Sequence, residues 1–111
     1  MTERTNNRGI QKSPSGGFRG LVALITGGSR GIGLGIAVEL AKARFNLVIN
    51  GVRTQDRIQP ILDGLKMFGI KVIYTQGDIS KKADREQIFQ TVISEFGHLN
   101  VLVNNAGIAP R

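Results

Sequence analysis

The chain has 111 residues and no cysteine, which predicts one domain without disulfide bonds, thiolate catalysis or a cysteine-bound metal. Its net charge of +7 favours anionic ligands, but aromatic residues make up only 5% of the sequence and offer nucleobases little to stack on, so nucleic acid is not the expected partner. No apolar run approaches the roughly 18 residues of a membrane span, and the N-terminus has no apolar signal segment, so we expect a cytoplasmic protein without membrane contact.

The first twenty residues differ in composition from the rest of the chain. They are rich in Ser, Gly, Asn and Arg, and their largest apolar side chains are Ile10 and Phe18. Such a segment buries too little apolar surface to offset the entropy of an ordered chain. We therefore predict a disordered basic tail over 1–20, of undetermined role, and a folded domain over 21–111.

Four short apolar runs follow the tail, and segments of helical period separate them. The runs contain mainly Val, Ile and Leu and barely alternate with polar residues, as in strands that are covered on both faces. Strands are predicted at 21–25, 46–50, 71–76 and 99–105, and helices at about 31–44, 56–68 and 81–96.

The helix ends and the apolar stripes are also readable from the sequence. Ser80 is the expected N-cap of the third helix, and Gly69 and Gly97 are the expected stops of the second and third helices. The stripe of the first helix comprises Ile32, Ile36, Ala37, Leu40 and Ala41, and that of the third comprises Ile88, Phe89, Val92, Ile93 and Phe96.

This alternation predicts the α/β class, with a Rossmann-type doubly wound parallel sheet built as β-α-β-α-β-α-β. In the strand order 3-2-1-4, the first and fourth strands are neighbours, and the chain reverses direction across the sheet between them. The loops after Ile25 and Val103 then open into one crevice. Ligands of such sheets bind in that crevice, beyond the carboxyl ends of the strands.

The segment TGGSRGIG, residues 26–33, joins the first strand to the first helix. The first amides of a helix lack internal partners, and the helix dipole places partial positive charge there, so an anion is favoured. Gly27 permits a sharp turn, Gly31 lets a pyrophosphate approach the backbone, and Gly33 lets the helix pack closely on the sheet. The spacing is one residue longer at the front than the usual fingerprint, and a simple turn is the alternative.

Together with NNAG at 104–107, this segment resembles the N-terminal signature of the short-chain dehydrogenase/reductase family, T-G-x-x-x-G-I/L-G followed downstream by N-N-A-G. The resemblance covers about 20–111. Within the family, the chain is most similar to 3-oxoacyl-[acyl-carrier-protein] reductase-like members, although Asn100 stands where that branch commonly has Asp.

The resemblance implies a set of residues that contact a nicotinamide cofactor. Around its phosphates and adenosine ribose would lie Gly27, Ser29, Arg30, Gly31, Ile32 and Gly33. Asp78 would accept a hydrogen bond from the adenine amino group, and Ile79 would pack on the ring. Asn105 would contact the nicotinamide-side ribose through its backbone while its side chain braces the fourth strand. As alternatives, Asp78 is a turn residue before Ser80, and Asn105 merely ends a strand.

The end of the second strand favours NADP(H) over NAD(H). An NAD site has a carboxylate there to bind the ribose 2′-hydroxyl, and this sequence has Gly51 at that position. Arg30 and Arg53 supply guanidinium groups suited to a 2′-phosphate, and Ser29 adds a hydroxyl. The alternative is that both arginines are solvated surface charges.

The family's catalytic tyrosine, lysine, serine and asparagine all follow N-N-A-G. Tyr74 is the single tyrosine; Asp78, not lysine, stands four residues later, and Tyr74 falls in the predicted third strand. We interpret it as a packing residue and assign no catalytic residue.

We therefore expect residues 21–111 to be a partial NADP-binding domain that ends after the fourth strand, the N-terminal part of a carbonyl reductase or alcohol dehydrogenase. The missing catalytic residues predict that this piece alone is inactive, and an exposed apolar edge and face predict that it is poorly soluble. The longer protein would act on a small carbonyl or alcohol substrate and form a homo-oligomer. A non-catalytic dinucleotide-binding module is the alternative, and a downstream Y-x-x-x-K would favour the enzyme.

Overall fold

A computed structural model of the chain describes residues 20–105. The predicted tail lies outside the described residues except for Gly20, as do the last residues of the NNAG motif and everything after them.

Four strands and three helices alternate along the described chain, as predicted. The strands are β1 (Val22–Thr26), β2 (Asn46–Gly51), β3 (Val72–Gln76) and β4 (Val101–Asn104), and the helices are α1 (Gly31–Lys42), α2 (Gln55–Lys66) and α3 (Lys82–Phe96). All strand pairs are parallel, in the order β3-β2-β1-β4. This topology confirms the Rossmann-type α/β fold, and it places the ends of β1 and β4 side by side.

The sheet is covered on both faces, which explains the continuous apolar runs Val22–Ile25 and Leu47–Ile49 in its two central strands. Ala23 and Ile25 of β1 face α1 and α2, whereas Val22 and Leu24 face α3. Every residue of β1 and β2 is buried. Because neither face of these strands meets water, the sequence shows continuous apolar runs in place of an alternating pattern.

Two of the predicted helix ends hold and one is wrong. Gly97 is the C-cap of α3, with φ of 79°, and Gly69, with φ of 81°, donates its amide to the carbonyl of Lys66, the last residue of α2. The N-cap of α3 is Lys81, whereas Ser80 bonds back to Asp78 in a tight turn. The hydroxyl is engaged by that carboxylate, so it does not cap the helix.

The apolar stripes are narrower than predicted. Ile88 and Val92 of α3 are buried against the sheet, but Phe89 and Ile93 are 36% and 53% exposed. In α1, Ile32 is 70% exposed in the first turn, next to residues 27–30, which we call the glycine loop. One sheet face covers only one side of a helix, and the next residue along the helix lies about 100° around its axis.

Candidate functional site

The loop between β1 and α1, residues 27–30, turns sharply by means of two glycines. Gly27 and Gly31 have φ of 64° and 61°, values that residues with a Cβ rarely adopt. The amide of Gly28 donates to the carbonyl of Asn50 at 3.0 Å, which ties the turn to the end of β2. The backbone shape therefore depends on the glycines named in the sequence analysis.

Gly33 is where α1 and the glycine loop come closest. A Cβ on Gly33 would overlap the carbonyl oxygen of Gly27 and would lie 2.7 Å from Nδ2 of Asn105. That nitrogen donates to the same carbonyl of Gly27 at 3.1 Å. The Asn105 side chain therefore braces the glycine loop, whereas the sequence-based expectation assigned it to the fourth strand.

The N-terminus of α1 is open toward solvent and carries no acidic residue in its first turn. Arg30 is the N-cap, is exposed, and makes no side-chain capping hydrogen bond. The bond from the Leu34 amide to the Arg30 carbonyl, at 3.2 Å, begins the helical ladder, so the amides of residues 31–33 have no acceptor within the helix. Three free donors and the positive end of the helix dipole suit an anion.

Ser29 and Arg53 meet at the end of β2. Nη2 of Arg53 donates to both the carbonyl oxygen and Oγ of Ser29, each at 3.0 Å. Ser29 is buried and Arg53 is half-buried. Arg53 is thus anchored on the glycine loop and is not a freely solvated surface charge. The position of Gly51 beside this pair is tight, since a Cβ there would lie 3.1 Å from Ser29 Oγ.

Asp78 and Ile79 follow the carboxyl end of β3, on the same side of the sheet as the carboxyl end of β2. Oδ1 of Asp78 accepts hydrogen bonds from the hydroxyl and the amide of Ser80, at 2.6 and 2.9 Å. These bonds hold the pKa of Asp78 below its usual value. The turn interpretation is therefore correct for Oδ1, while Oδ2 forms no hydrogen bond within residues 20–105. Ile79 is half-buried and packs against the cluster that contains Ile88.

Tyr74 has a second role that the sequence analysis missed. Its ring packs among the core residues between the sheet and α1 and α2, as expected, but its hydroxyl donates to the carbonyl of Arg53 at 2.6 Å. Burial raises the pKa of Tyr74, and the positive charge of Arg53 offsets part of the rise. Two residues along β3, Gln76 donates from Nε2 to the carbonyl of Val52 at 3.1 Å. The sequence signal for these contacts was the spacing of Tyr74 and Gln76, two residues with polar side-chain ends at alternate positions of the edge strand β3.

These features were compared with known proteins. The sequence model of the short chain dehydrogenase family matches residues 21–111. The chain belongs to this family. It is 41% identical over 88 residues to the hydroxynaphthalene reductase-like protein Arp2 of Metarhizium anisopliae (strain ARSEF 549). The aligned segment covers 79% of the chain and 33% of that relative.

Two further relatives extend the comparison. The chain is 37% identical over 86 residues to the 3-oxoacyl-[acyl-carrier-protein] reductase FabG of Staphylococcus epidermidis, covering 78% of the chain and 35% of FabG. It superimposes with a TM-score of 0.76 and 37% identity on a crystal structure of L-sorbose reductase from Gluconobacter frateurii complexed with NADPH and L-sorbose, over 86% of the chain and 36% of the reductase. The chain thus spans about a third of the length of the curated relatives that it matches.

The described part of this short-chain dehydrogenase chain shows neither a metal-binding cluster nor a membrane-spanning helix. Residues 20–105 contain no group of three His, Asp or Glu side chains placed to hold a metal ion. No helix within the same range has the length and apolar character needed to cross a membrane. The glycine loop and the ends of β2, β3 and β4 form the candidate site, because the amides that begin α1 lie there together with Arg53, Asp78 and Asn105.

Proposed function

We propose that the chain binds NADP(H) and forms the cofactor-binding part of an oxidoreductase acting on a small carbonyl or alcohol substrate. When bound, the nicotinamide supplies hydride transfer. Family membership and the reductase relatives support this proposal, and the identity to FabG makes a 3-oxoacyl group on acyl carrier protein one candidate substrate. A homo-oligomeric longer protein stays a prediction from the resemblance, and a cytoplasmic location stays a prediction from the sequence.

The glycine loop fits a pyrophosphate group. Gly27 and Gly31 give the backbone its turn, and the absence of a Cβ on Gly33 brings α1 against the loop. The three amides at the start of α1 then supply donors and partial positive charge to the phosphate oxygens. In this proposal Oδ2 of Asp78 accepts a hydrogen bond from the adenine amino group, and Asn105 stabilises the loop through its hydrogen bond to the Gly27 carbonyl.

The pairing of Ser29 and Arg53 beside Gly51 is the observation that carries the choice of NADP(H). Nη2 of Arg53 is engaged by Ser29, while its Nη1 and Nε form no hydrogen bond within residues 20–105. These donors suit a phosphate group, which a guanidinium binds through paired hydrogen bonds. Arg30, exposed at the N-cap of α1, adds a second positive charge at the same loop.

Binding of NADPH and NADH to single variants of the chain tests the proposal. A charge-assisted hydrogen bond contributes about 1.5–3 kcal/mol, so Arg53→Ala should weaken NADPH binding about tenfold to a hundredfold. NADH binding should not change, because NADH has no 2′-phosphate. Lys66→Ala is the matched control, because it removes one positive charge from the exposed last turn of α2, at the opposite end of that helix.

Arg30→Ala combined with Arg53→Ala should act in the same direction on the Michaelis constants of a longer protein that contains this chain. The constant for NADPH should rise far more than that for NADH. Equal changes for the two cofactors, or NADPH binding that is unaffected by Arg53→Ala, would contradict the assignment of NADP(H).

A further inference from the structure

The connection between β2 and α2 is held from the side by the neighbouring strand β3 and the residue after it. Three consecutive carbonyl groups, those of Gly51, Val52 and Arg53, each accept a hydrogen bond. The donors are the amide of Gly77 at 2.9 Å, Nε2 of Gln76 at 3.1 Å and the hydroxyl of Tyr74 at 2.6 Å. The main chain that carries Arg53 is therefore held by hydrogen bonds from within the protein itself.

Of the two side-chain donors, Tyr74 is the more firmly placed. Its ring packs in the core between the sheet and α1 and α2, so the hydroxyl is delivered from a fixed position, whereas Gln76 is exposed. A tyrosine hydroxyl is protonated, and thus a donor, at neutral pH, and burial raises the pKa of Tyr74 further above that range.

Gly51 lets two hydroxyl groups converge beside the strand end. A Cβ on Gly51 would lie 3.0 Å from the Tyr74 hydroxyl oxygen and 3.1 Å from Ser29 Oγ. Tyr74 binds the main chain of Arg53, and Ser29 binds its guanidinium group. Arg53 is thus bound at its main chain by Tyr74 and at its guanidinium group by Ser29, and the hydroxyl groups of both residues lie next to Gly51.

We infer that Tyr74 is a positioning residue for cofactor selectivity, because it holds the Arg53 main chain where the guanidinium group stays on Ser29. This inference rests on the proposed role of Arg53 toward a 2′-phosphate. Ordering a loop residue and its long side chain at the moment of binding is costly in conformational entropy. A loop that is already fixed avoids that cost, so the phosphate gains affinity through preorganisation.

Tyr74→Phe tests the inference because it keeps the ring and removes only the hydroxyl. Losing one hydrogen bond to the loop should weaken NADPH binding about threefold to tenfold and leave NADH binding unchanged. Thr91→Val is the matched control, since it removes a hydroxyl that donates to the Gln87 carbonyl within α3, on the other face of the sheet. It should alter neither affinity.

The decisive measurement is Tyr74→Phe in the Arg53→Ala background. If Tyr74 acts through the Arg53 guanidinium, the second substitution should cause no further loss of NADPH affinity. An additional loss of the full size in that background, or an equal loss of NADPH and NADH in Tyr74→Phe alone, overturns the inference. Far-UV circular dichroism verifies that each variant is folded.

Failure of the inference is distinguishable from failure of the proposed function. If Arg53→Ala leaves the ratio of NADPH affinity to NADH affinity unchanged, both the proposed choice of NADP(H) and the role of Tyr74 are wrong. If Arg53→Ala lowers that affinity ratio but Tyr74→Phe does not, only the inferred role of Tyr74 is wrong and the proposed function stands. Should Tyr74→Phe fail to fold, Gln76→Ala loosens the adjacent carbonyl from an exposed position. It should then lower the NADPH-to-NADH ratio, and an unchanged ratio overturns the inference.

Discussion

Replacing Gly33 with alanine introduces one methyl group at the closest approach between α1 and the glycine loop. The new Cβ would overlap the Gly27 carbonyl oxygen and lie 2.7 Å from Nδ2 of Asn105. The first of these atoms belongs to the backbone of a turn that is fixed by a positive φ at Gly27, so it has little freedom to retreat. We expect the turn, α1 or the end of β4 to shift.

The magnitude follows from two destabilising contributions and one that opposes them. Forcing an extra carbon into a packed site costs about 1–3 kcal/mol, and losing the hydrogen bond from Asn105 to Gly27 adds about 0.5–1.5 kcal/mol. Alanine's better helix propensity returns at most about 1 kcal/mol. Gly33→Ala should therefore lower the free energy of unfolding by about 0.5–4.5 kcal/mol, and it should weaken the proposed NADPH binding because the glycine loop is displaced.

Gly35→Ala is the matched control, made two residues further along the same helix. A Cβ on Gly35 meets no atom within 4 Å, and Gly35 is exposed. Only the propensity gain remains, so this variant should be stabilised by about 0.5–1 kcal/mol and bind NADPH as the parent chain does. Urea unfolding followed by circular dichroism measures both changes. Equal shifts of the two midpoints in the same direction would refute the steric argument.

Two predictions concern protonation. Tyr74 is the only tyrosine and there is no tryptophan, so tyrosinate absorbance reports its ionisation directly; the folded chain should titrate above the unfolded value of about 10. Because the pKa of Tyr74 is higher in the folded state, the contribution of neutral Tyr74 to the free energy of unfolding is complete below about pH 10 and is lost as the pH rises through the folded-state pKa. A titration curve of the native chain that coincides with that of the urea-unfolded chain would contradict this. For Asp78, Ser80→Ala should raise the carboxyl pKa toward its usual value, as followed by NMR titration, because it removes the hydroxyl hydrogen bond that lowers the pKa most and leaves only the bond from the amide of residue 80. The folded pKa of Asp78 is the lower one, so its contribution is present above about pH 3.9 and is lost as the pH falls through the folded value; an unchanged carboxyl pKa in Ser80→Ala would remove the assigned cause.

Much of the architecture could be predicted because it depends on short-range patterns. Continuous Val, Ile and Leu runs predicted buried parallel strands, and glycines at fixed spacing predicted the turn into α1. The errors came where a neighbour in space competed with a local rule. Ser80 looked like an N-cap, but Asp78 lies within reach of its hydroxyl. Phe89 continued the apolar stripe of α3, but the sheet covers only the side that holds Ile88.

The sequence by itself determined the order of the elements, the glycine turn, and the absence of a carboxylate at position 51. Only the tertiary structure decided that Tyr74 binds the Arg53 carbonyl, that Arg53 binds Ser29, and that Asn105 reaches Gly27, contacts between residues 21, 24 and 78 positions apart. Helical and strand periods arise from neighbours along the chain, so they are visible in the sequence. The proximity of the strand ends depends on strand order and register, which hydrogen bonds between distant segments create.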